Sequence, residues 1–288
     1  MKQSPRALLP MLLLLLIPTI ACAQKDRTET LRSDGIERTY TIHIPEGLPP
    51  GAPLVIVLHG YGGSNDPAAF GMNPTADRHG FAVCYPRGEC DGRGTSCWNV
   101  GYPFQADMPI DDVRFLDELI GHLHRRYGLS RRNVFCTGMS NGGDMCFPLA
   151  SRPPEPFAAP RPPAGFLSGG VLRRGANPPP LPPLPIPANA GRPTRWEGDL
   201  ENRDGWGAYL PIPMAVGYWA AKAKCLRVQR DTLPAADNGR QVIAHRYTGG
   251  PDGSELWLYE TVGGTHSWHD TGVDTCEVQR RFFSRYIR

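Results

Sequence analysis

Apolar residues recur along this chain with two periods, and the changes between them mark its elements. Glu37 to Ile44 alternates, with Tyr40, Ile42 and Ile44 on one side, and reads as an outer strand. Pro53-Leu54-Val55-Ile56-Val57-Leu58-His59 is apolar almost throughout, the mark of a strand buried on both faces of a parallel sheet. Phe81 to Tyr85 repeats that character in shorter form. From Ile110 to Tyr127 the period lengthens. Val113, Phe115, Leu116, Leu119, Ile120 and Leu123 fall three and four residues apart, which predicts a helix. Asp111 and Asp112 suit its N-terminus, Arg125 and Arg126 its C-terminus, and Gly128 stops it. Asn133 to Cys136 has strand character again and runs into Gly138-Met139-Ser140-Asn141-Gly142, after which a helix is expected.

From Pro153 to Pro193 the texture changes. Fourteen of these 41 residues are proline, Pro178 to Pro187 reads as polyproline, and no Asp or His occurs. A parallel sheet should place its next strand here, yet no apolar run survives the prolines. The segment from about 153 to 194 is therefore expected to be irregular. Order returns at Arg195-Trp196-Glu197-Gly198-Asp199. Met214 to Lys224 predicts a helix. Gln241 to Tyr247 and Glu255 to Thr261 alternate around a Gly-Gly-Pro-Asp-Gly turn, and Thr275 to Ile287 is an amphipathic closing helix. No internal repeat is present.

A serine hydroxyl becomes a nucleophile when a base takes its proton and its oxygen stands clear of the backbone. Gly-x-Ser-x-Gly on a strand-to-helix turn meets the second need, and the βαβ unit leading into Ser140 supplies that setting. The helix start aims free N–H groups at the site. The loop His59-Gly60-Tyr61-Gly62-Gly63-Ser64 closes a central strand at its carboxyl end, where α/β sheets place ligand contacts. Its Tyr61 N–H and that of Asn141 are the candidate oxyanion hole. The base should follow the last strand, and His266 in Gly263-Gly264-Thr265-His266 does so, with His269 as the alternative. The triad acid has no assignment. Glu197, Asp199 and Asp204 are the nearest downstream carboxylates, and each reads more simply as surface charge.

Composition adds the setting. At 288 residues, 40% hydrophobic and 20% charged, the chain can bury one sizeable core. Lys2 and Arg6, the apolar run Ala7 to Ile20 and Ala21-Cys22-Ala23 read as a signal peptide over residues 1–23, too short to favour a spanning helix. Cys22 also admits a lipoprotein reading. Residues 24–288 then form a single domain. Removal of two basic residues takes the net charge from +3 to +1, which excludes phosphate-backbone binding. Seven cysteines remain in an exported chain, so disulfides are expected, with Cys90 and Cys97 a candidate pair and at least one thiol left over. None has zinc-ligand spacing with histidine, and no metal site is read.

With these motifs in hand, the chain resembles the secreted α/β-hydrolase esterases of the polyhydroxybutyrate depolymerase-like group, with feruloyl and acetylxylan esterases. The likeness rests on Leu54 to Ser64, Cys97-Trp98-Asn99, Asp111-Asp112-Val113, Gly138 to Gly143, Trp219 and Gly263 to Trp268. It implies an α/β-hydrolase fold, a mostly parallel central sheet with helices on both faces. It further implies a nucleophile at Ser140, a base at His266 and oxyanion donors at Tyr61 and Asn141. The expected protein is a secreted, extracellular or periplasmic monomer that hydrolyses carboxylic esters without a cofactor: polyhydroxyalkanoate, feruloylated or acetylated polysaccharide, or small esters. The group's His-Gly-x-x-Asp motif is missing before Trp196, where the chain reads Pro187 to Arg195, and a reading-frame error over roughly Ala158 to Thr194 would account for that. Two rival readings stand: a serine peptidase of the prolyl-oligopeptidase type, and a hydrolase-fold protein impaired by the lost acid. The Trp98 loop and the Trp196 to Tyr209 segment are candidates for an aromatic wall beside the site, although burial is the commoner fate of a tryptophan.

Overall fold

A computed structural model describes residues 26–151 and 194–288, and its strands form two sheets. In the first, β1 (Arg27–Ser33), β2 (Ile36–His43), β3 (Leu54–Leu58), β4 (Ala82–Pro86) and β5 (Val134–Gly138) lie in the order β1-β2-β4-β3-β5. The three strands β4, β3 and β5 are parallel, and β1 and β2 run antiparallel at one edge. Every residue of β3 is buried, as its unbroken apolar run requires. Leu54, Ile56 and Leu58 face α2 (Asp112–Tyr127) and α3 (Asn141–Ser151). Val55 and Val57 face the opposite layer, which holds α1 (Asn73–His79) and, beyond α4 (Ile212–Lys222), the closing helix α5 (Thr275–Ser284).

The second sheet is antiparallel: β6 (Arg227–Thr232), β7 (Gln241–Thr248) and β8 (Leu256–Val262), in chain order. Among the described residues β5 pairs only with β3 and β8 only with β7, so no ladder joins the sheets. They share a core instead. Val242, Ala244, Trp257 and Tyr259 pack in one cluster with Val55, Phe135, Phe282 and Phe283, and the Phe135 and Phe283 rings stack at 4.9 Å. No helix of the described residues is long and apolar enough to cross a membrane.

Each strand and helix expected within the described residues is present, but three others were not foreseen. β1 covers the supposed outer strand; the hairpin turns at Asp34 and Gly35, both at positive φ, the turn an Asp-Gly pair favours. The short helix α1 and the polar edge strand β6 are the other two. The signal peptide over residues 1–23, lipidation at Cys22, the irregular segment from 153 and the frame error from Ala158 lie outside the described residues, which resume at Thr194.

All seven described cysteines are unbridged, including the expected pair Cys90 and Cys97. Cys90 stands opposite Ser96 in a small hairpin, so Cys97, one residue on, turns to the other side. It is buried, and its Sγ accepts from Gln105 Nε2 at 3.3 Å.

A buried ion pair fastens α2 to the sheet. Arg38 of β2 reaches Asp112 at 2.6 Å, both side chains are almost fully enclosed, and the guanidinium lies 3.9 Å from the Phe115 ring centroid. The other Asp112 oxygen accepts the Asn99 N–H at 2.7 Å, so one carboxylate holds helix, strand and loop. Asp112→Ala leaves the enclosed Arg38 with the partly exposed Glu89, 3.0 Å from its Nε, in place of its buried partner. It should cost about 3–5 kcal/mol, read from the denaturant midpoint at unchanged m-value.

Candidate active site

The turn between β5 and α3 places Ser140 at its tip, with φ 53°, a left-handed conformation that serine adopts only under constraint. The constraint comes from two glycines. A methyl group on Gly138 would lie 2.6 Å from the Gly142 carbonyl carbon and 2.7 Å from the Leu58 oxygen. One on Gly142 would collide with the Leu58 and His59 carbonyls. Helix and strand thus touch through bare backbone, and the chain between them has no other way to turn.

Ser140 is half-buried, and its Cβ would be 3.5 Å from a methyl placed on Gly60, so the loop after β3 abuts the nucleophile position. Among the described residues, neither the Tyr61 N–H nor the Asn141 N–H donates a hydrogen bond, while Gly62 and Gly63 donate to Ser96 and Gly60 carbonyls. The Asn141 side chain is fully used: Oδ1 accepts the Trp98 N–H at 2.7 Å and Nδ2 donates to the Trp98 carbonyl at 2.9 Å. His59 is buried between Gly60 and Gly88. Its Nε2 accepts the Gly88 N–H, which leaves the proton on Nδ1 for the Gly60 carbonyl. Burial lowers its pKa, which favours the neutral ring that this hydrogen-bond pattern needs.

Trp98 is not part of a wall. It is wholly enclosed beside His59 and donates to the His59 carbonyl at 2.9 Å. The exposed-side aromatics are Tyr61, Phe104 and Trp206, packed edge-to-face at 5.1 to 5.7 Å, with Arg93 over Phe104. Phe104 comes from the Trp98 loop and Trp206 from the 196–209 segment, the two stretches expected to contribute, although Trp98 itself does not.

His266 sits half-buried in the loop after β8, and desolvation lowers its pKa, the state a general base requires. Met139 beside Ser140 and Trp268 near His266 pack against one hydrophobic cluster. No hydrogen bond joins His266 to Ser140 or to a carboxylate among the described residues. His269 instead meets the Ala69 carbonyl at 2.9 Å. Of the three downstream carboxylates, Glu197 is exposed, Asp199 accepts the Asp204 N–H, and Asp204 pairs with Arg195 at 2.8 Å. Asp270, in the His266 loop, pairs with Arg240 at 2.6 Å. None of these four is hydrogen-bonded to the imidazole. Nor do three His, Cys, Asp or Glu side chains gather to hold a metal ion among the described residues.

One further group was not singled out from the sequence. Asp144, one helical turn after Ser140, is enclosed in the core and accepts the Tyr102 hydroxyl at 2.6 Å. Burial pushes its carboxyl up to about 7 against the lowering pull of that hydrogen bond. An acidic residue in an otherwise small and apolar helix start was the available signal.

A parallel-centred sheet, a strand-turn-helix serine and a glycine loop beside it define an α/β-hydrolase. Residues 39–175 match the family model described as Esterase PHB depolymerase. NocK of Nocardia uniformis subsp. tsuyamanensis, a candidate esterase, is 29% identical over 272 residues, 84% of this chain and 75% of that one. Poly(3-hydroxyalkanoate) depolymerase C of Paucimonas lemoignei is 28% identical over 126 residues, 43% of this chain and 30% of its own length. The bifunctional acetylxylan esterase/xylanase XynS20E of Neocallimastix patriciarum is 29% identical over 132 residues, 44% of this chain and 18% of its own. Among solved structures, an acetyl xylan esterase from Aspergillus awamori superposes with a TM-score of 0.54 at 12% identity, covering 90% of this chain and 99% of that one. A cold-adapted esterase from an Arctic intertidal metagenomic library gives 0.55 at 11% identity, covering 91% and 94%. These structures carry the fold. The family and the curated relatives carry the class, a carboxylic ester hydrolase.

Asp144 gives the nucleophile helix a pH signature. Its folded-state pKa lies above the ordinary 3.8, so its contribution to stability is full below that value and is lost as pH rises through about 7. Thermal midpoints of wild type and Asp144→Asn, measured from pH 4 to 8, should diverge accordingly, the wild type losing ground to the variant as pH rises.

Proposed function

We propose that this chain is a secreted serine esterase working through an acyl-enzyme. The observation that carries the reading is Ser140 held left-handed on a glycine-locked elbow, with the Tyr61 and Asn141 N–H groups lacking a partner among the described residues. Ser140 Oγ attacks the ester carbonyl while His266 takes its proton. The tetrahedral oxyanion is held by the Tyr61 and Asn141 N–H groups; His266 returns the proton to the leaving alcohol, and water repeats the cycle on the acyl-enzyme. The relatives' names point to polyhydroxyalkanoate or acylated polysaccharide as substrate, with small esters as the simplest members of the class. The half-buried Tyr61, Phe104 and Trp206 rings offer such substrates an apolar wall. Export from the cell agrees with the N-terminal signal.

A second reading follows from the His266 ring, which has no carboxylate partner among the described residues. An imidazole without its acid can cost on the order of 10⁴ in rate while leaving residual catalysis. Under that reading the chain is the same hydrolase, slowed.

Fluorophosphonate labelling of the folded protein, with the modified residue mapped by mass spectrometry, tests the nucleophile. Stoichiometric modification at Ser140, abolished in Ser140→Ala, is the expected result; folded protein that stays unlabelled defeats the acyl-enzyme route. Since burial lowers the His266 pKa, kcat/KM on a soluble ester should rise to its plateau with an inflection below the ordinary histidine value of 6.5. An inflection above that value, or none lost in His266→Ala, would remove His266 as the base.

A further inference from the structure

We infer that Asp91 is a positioning residue for the oxyanion hole, acting through the side chain of Tyr61. This rests on the reading of the Tyr61 N–H as an oxyanion donor. The loop Gly60 to Gly63 holds three glycines, the residues with the most conformational freedom to lose, yet an oxyanion donor works only when it is aimed before the charge develops. Something outside the loop must aim it.

A hairpin over residues 89–97 does so from both sides of the donor. Its Asp91 carboxylate, buried, accepts the Tyr61 hydroxyl at 2.6 Å. The same carboxylate accepts the Arg93 N–H at 2.9 Å and the Thr95 N–H at 3.2 Å, which close the hairpin turn. On the other strand, the Ser96 carbonyl accepts the Gly62 N–H at 2.8 Å and Ser96 Oγ donates to the Gly63 carbonyl at 2.6 Å. The residue before Tyr61 is fixed by His59, whose ring meets the Gly60 carbonyl at 2.7 Å. Among the described residues the Tyr61 N–H has no partner, while the loop around it is tied to His59, Ser96 and Asp91 and closed by the Gly63 N–H on the Gly60 carbonyl. Asp91 is the charged tie that reaches Tyr61 itself, with the Thr95 side chain of the same hairpin beside the hydroxyl. A charged acceptor on a hydroxyl gives the shorter, stronger kind of hydrogen bond.

The test compares wild type with Tyr61→Phe, Asp91→Asn and the double variant, each confirmed folded by its thermal midpoint. Tyr61→Phe keeps the ring among Phe104 and Trp206 and deletes only the hydroxyl. Each single variant should lower kcat by about tenfold, less than the full loss of an oxyanion donor, with KM within about twofold. The rate of fluorophosphonate labelling should fall in parallel, because the phosphonyl oxygen occupies the same hole. The double variant should lose no more than the worse single one, the two residues acting as a unit. Folded variants with wild-type kcat, or losses that add, overturn the inference while leaving the hydrolase reading intact. A wild-type enzyme that neither turns over esters nor labels at Ser140 overturns that reading, and this inference with it. If Asp91→Asn does not fold, Tyr61→Phe alone decides.

Beneath the same elbow, Cys136 of β5 and Cys146 of α3 bring their sulfurs to 3.1 Å in the core, about 1 Å beyond a disulfide bond. We propose that these two form a disulfide when the chain folds under oxidising conditions. One thiolate attacks a small-molecule or oxidoreductase disulfide, and the second displaces the mixed disulfide. Two thiols thereby lose two protons and two electrons, and the oxidant leaves as its two thiols. Both sulfurs are enclosed, so the bond must form before the elbow closes. A peptide map of protein refolded with oxidised glutathione, digested without reductant, should contain the Cys136–Cys146 cross-link two hydrogens lighter. Both thiols alkylated in denaturant without reductant, or either cysteine bonded elsewhere, would overturn the assignment.

Discussion

The contact on which the site depends is backbone against backbone. The Leu58 carbonyl lies so close to Gly138 and Gly142 that neither position has room for a side chain, and this closeness brings the ends of β3 and β5 together. The parallel register matches Leu58 with Gly138, so both strands end at one level. The loop after β3 and the elbow after β5 therefore open side by side. The strain of a left-handed serine, of order 1–3 kcal/mol, is sustained because strand, helix and loop all fix the same turn. The left-handed Ser140 and the Tyr61 and Asn141 N–H groups, which have no partner among the described residues, stand where this one fit puts them.

Around that fit the molecule is held by polar groups tied down with few alternatives. Asp112 joins strand, helix and loop through Arg38 and Asn99. Asn141 clips both backbone groups of Trp98, and Trp98 in turn caps the His59 carbonyl. Each tie converts a flexible loop between residues 86 and 111 into a wall of the site. A loop of that length without regular structure is tolerable because its polar groups are spoken for.

Much of this was legible in the sequence, for reasons that differ by element. Leu54 to Leu58 could only be a strand buried on both faces, and the spacing from Val113 to Leu123 could only be a helix. β1 was missed although Asp34-Gly35 marks a hairpin, because Arg27 to Ser33 lacks apolar alternation. β6 gives no signal, being a polar edge strand exposed along most of its length. Ser140, Asn141 and Tyr61 could be singled out as candidates because their motifs are local. The Tyr102–Asp144 and Tyr61–Asp91 bonds join residues 42 and 30 positions apart through irregular loops, where no periodicity reports proximity. The acid stayed unassigned because the stretch where its order expects it holds no aspartate.

The two sheets meet by their faces and share no ladder among the described residues. A hydrogen-bond ladder is stiff along its strands, whereas a layer of side chains yields when a neighbour changes volume. The elbow with Ser140 belongs to one sheet and the loop with His266 to the other, and the rings of Phe135, Phe282 and Phe283 lie in the core that the two sheets share. Their spacing is thus a compliant coordinate set by aromatic bulk. In such a molecule the distance between the two loops can be retuned from within the core, without altering any residue of either loop.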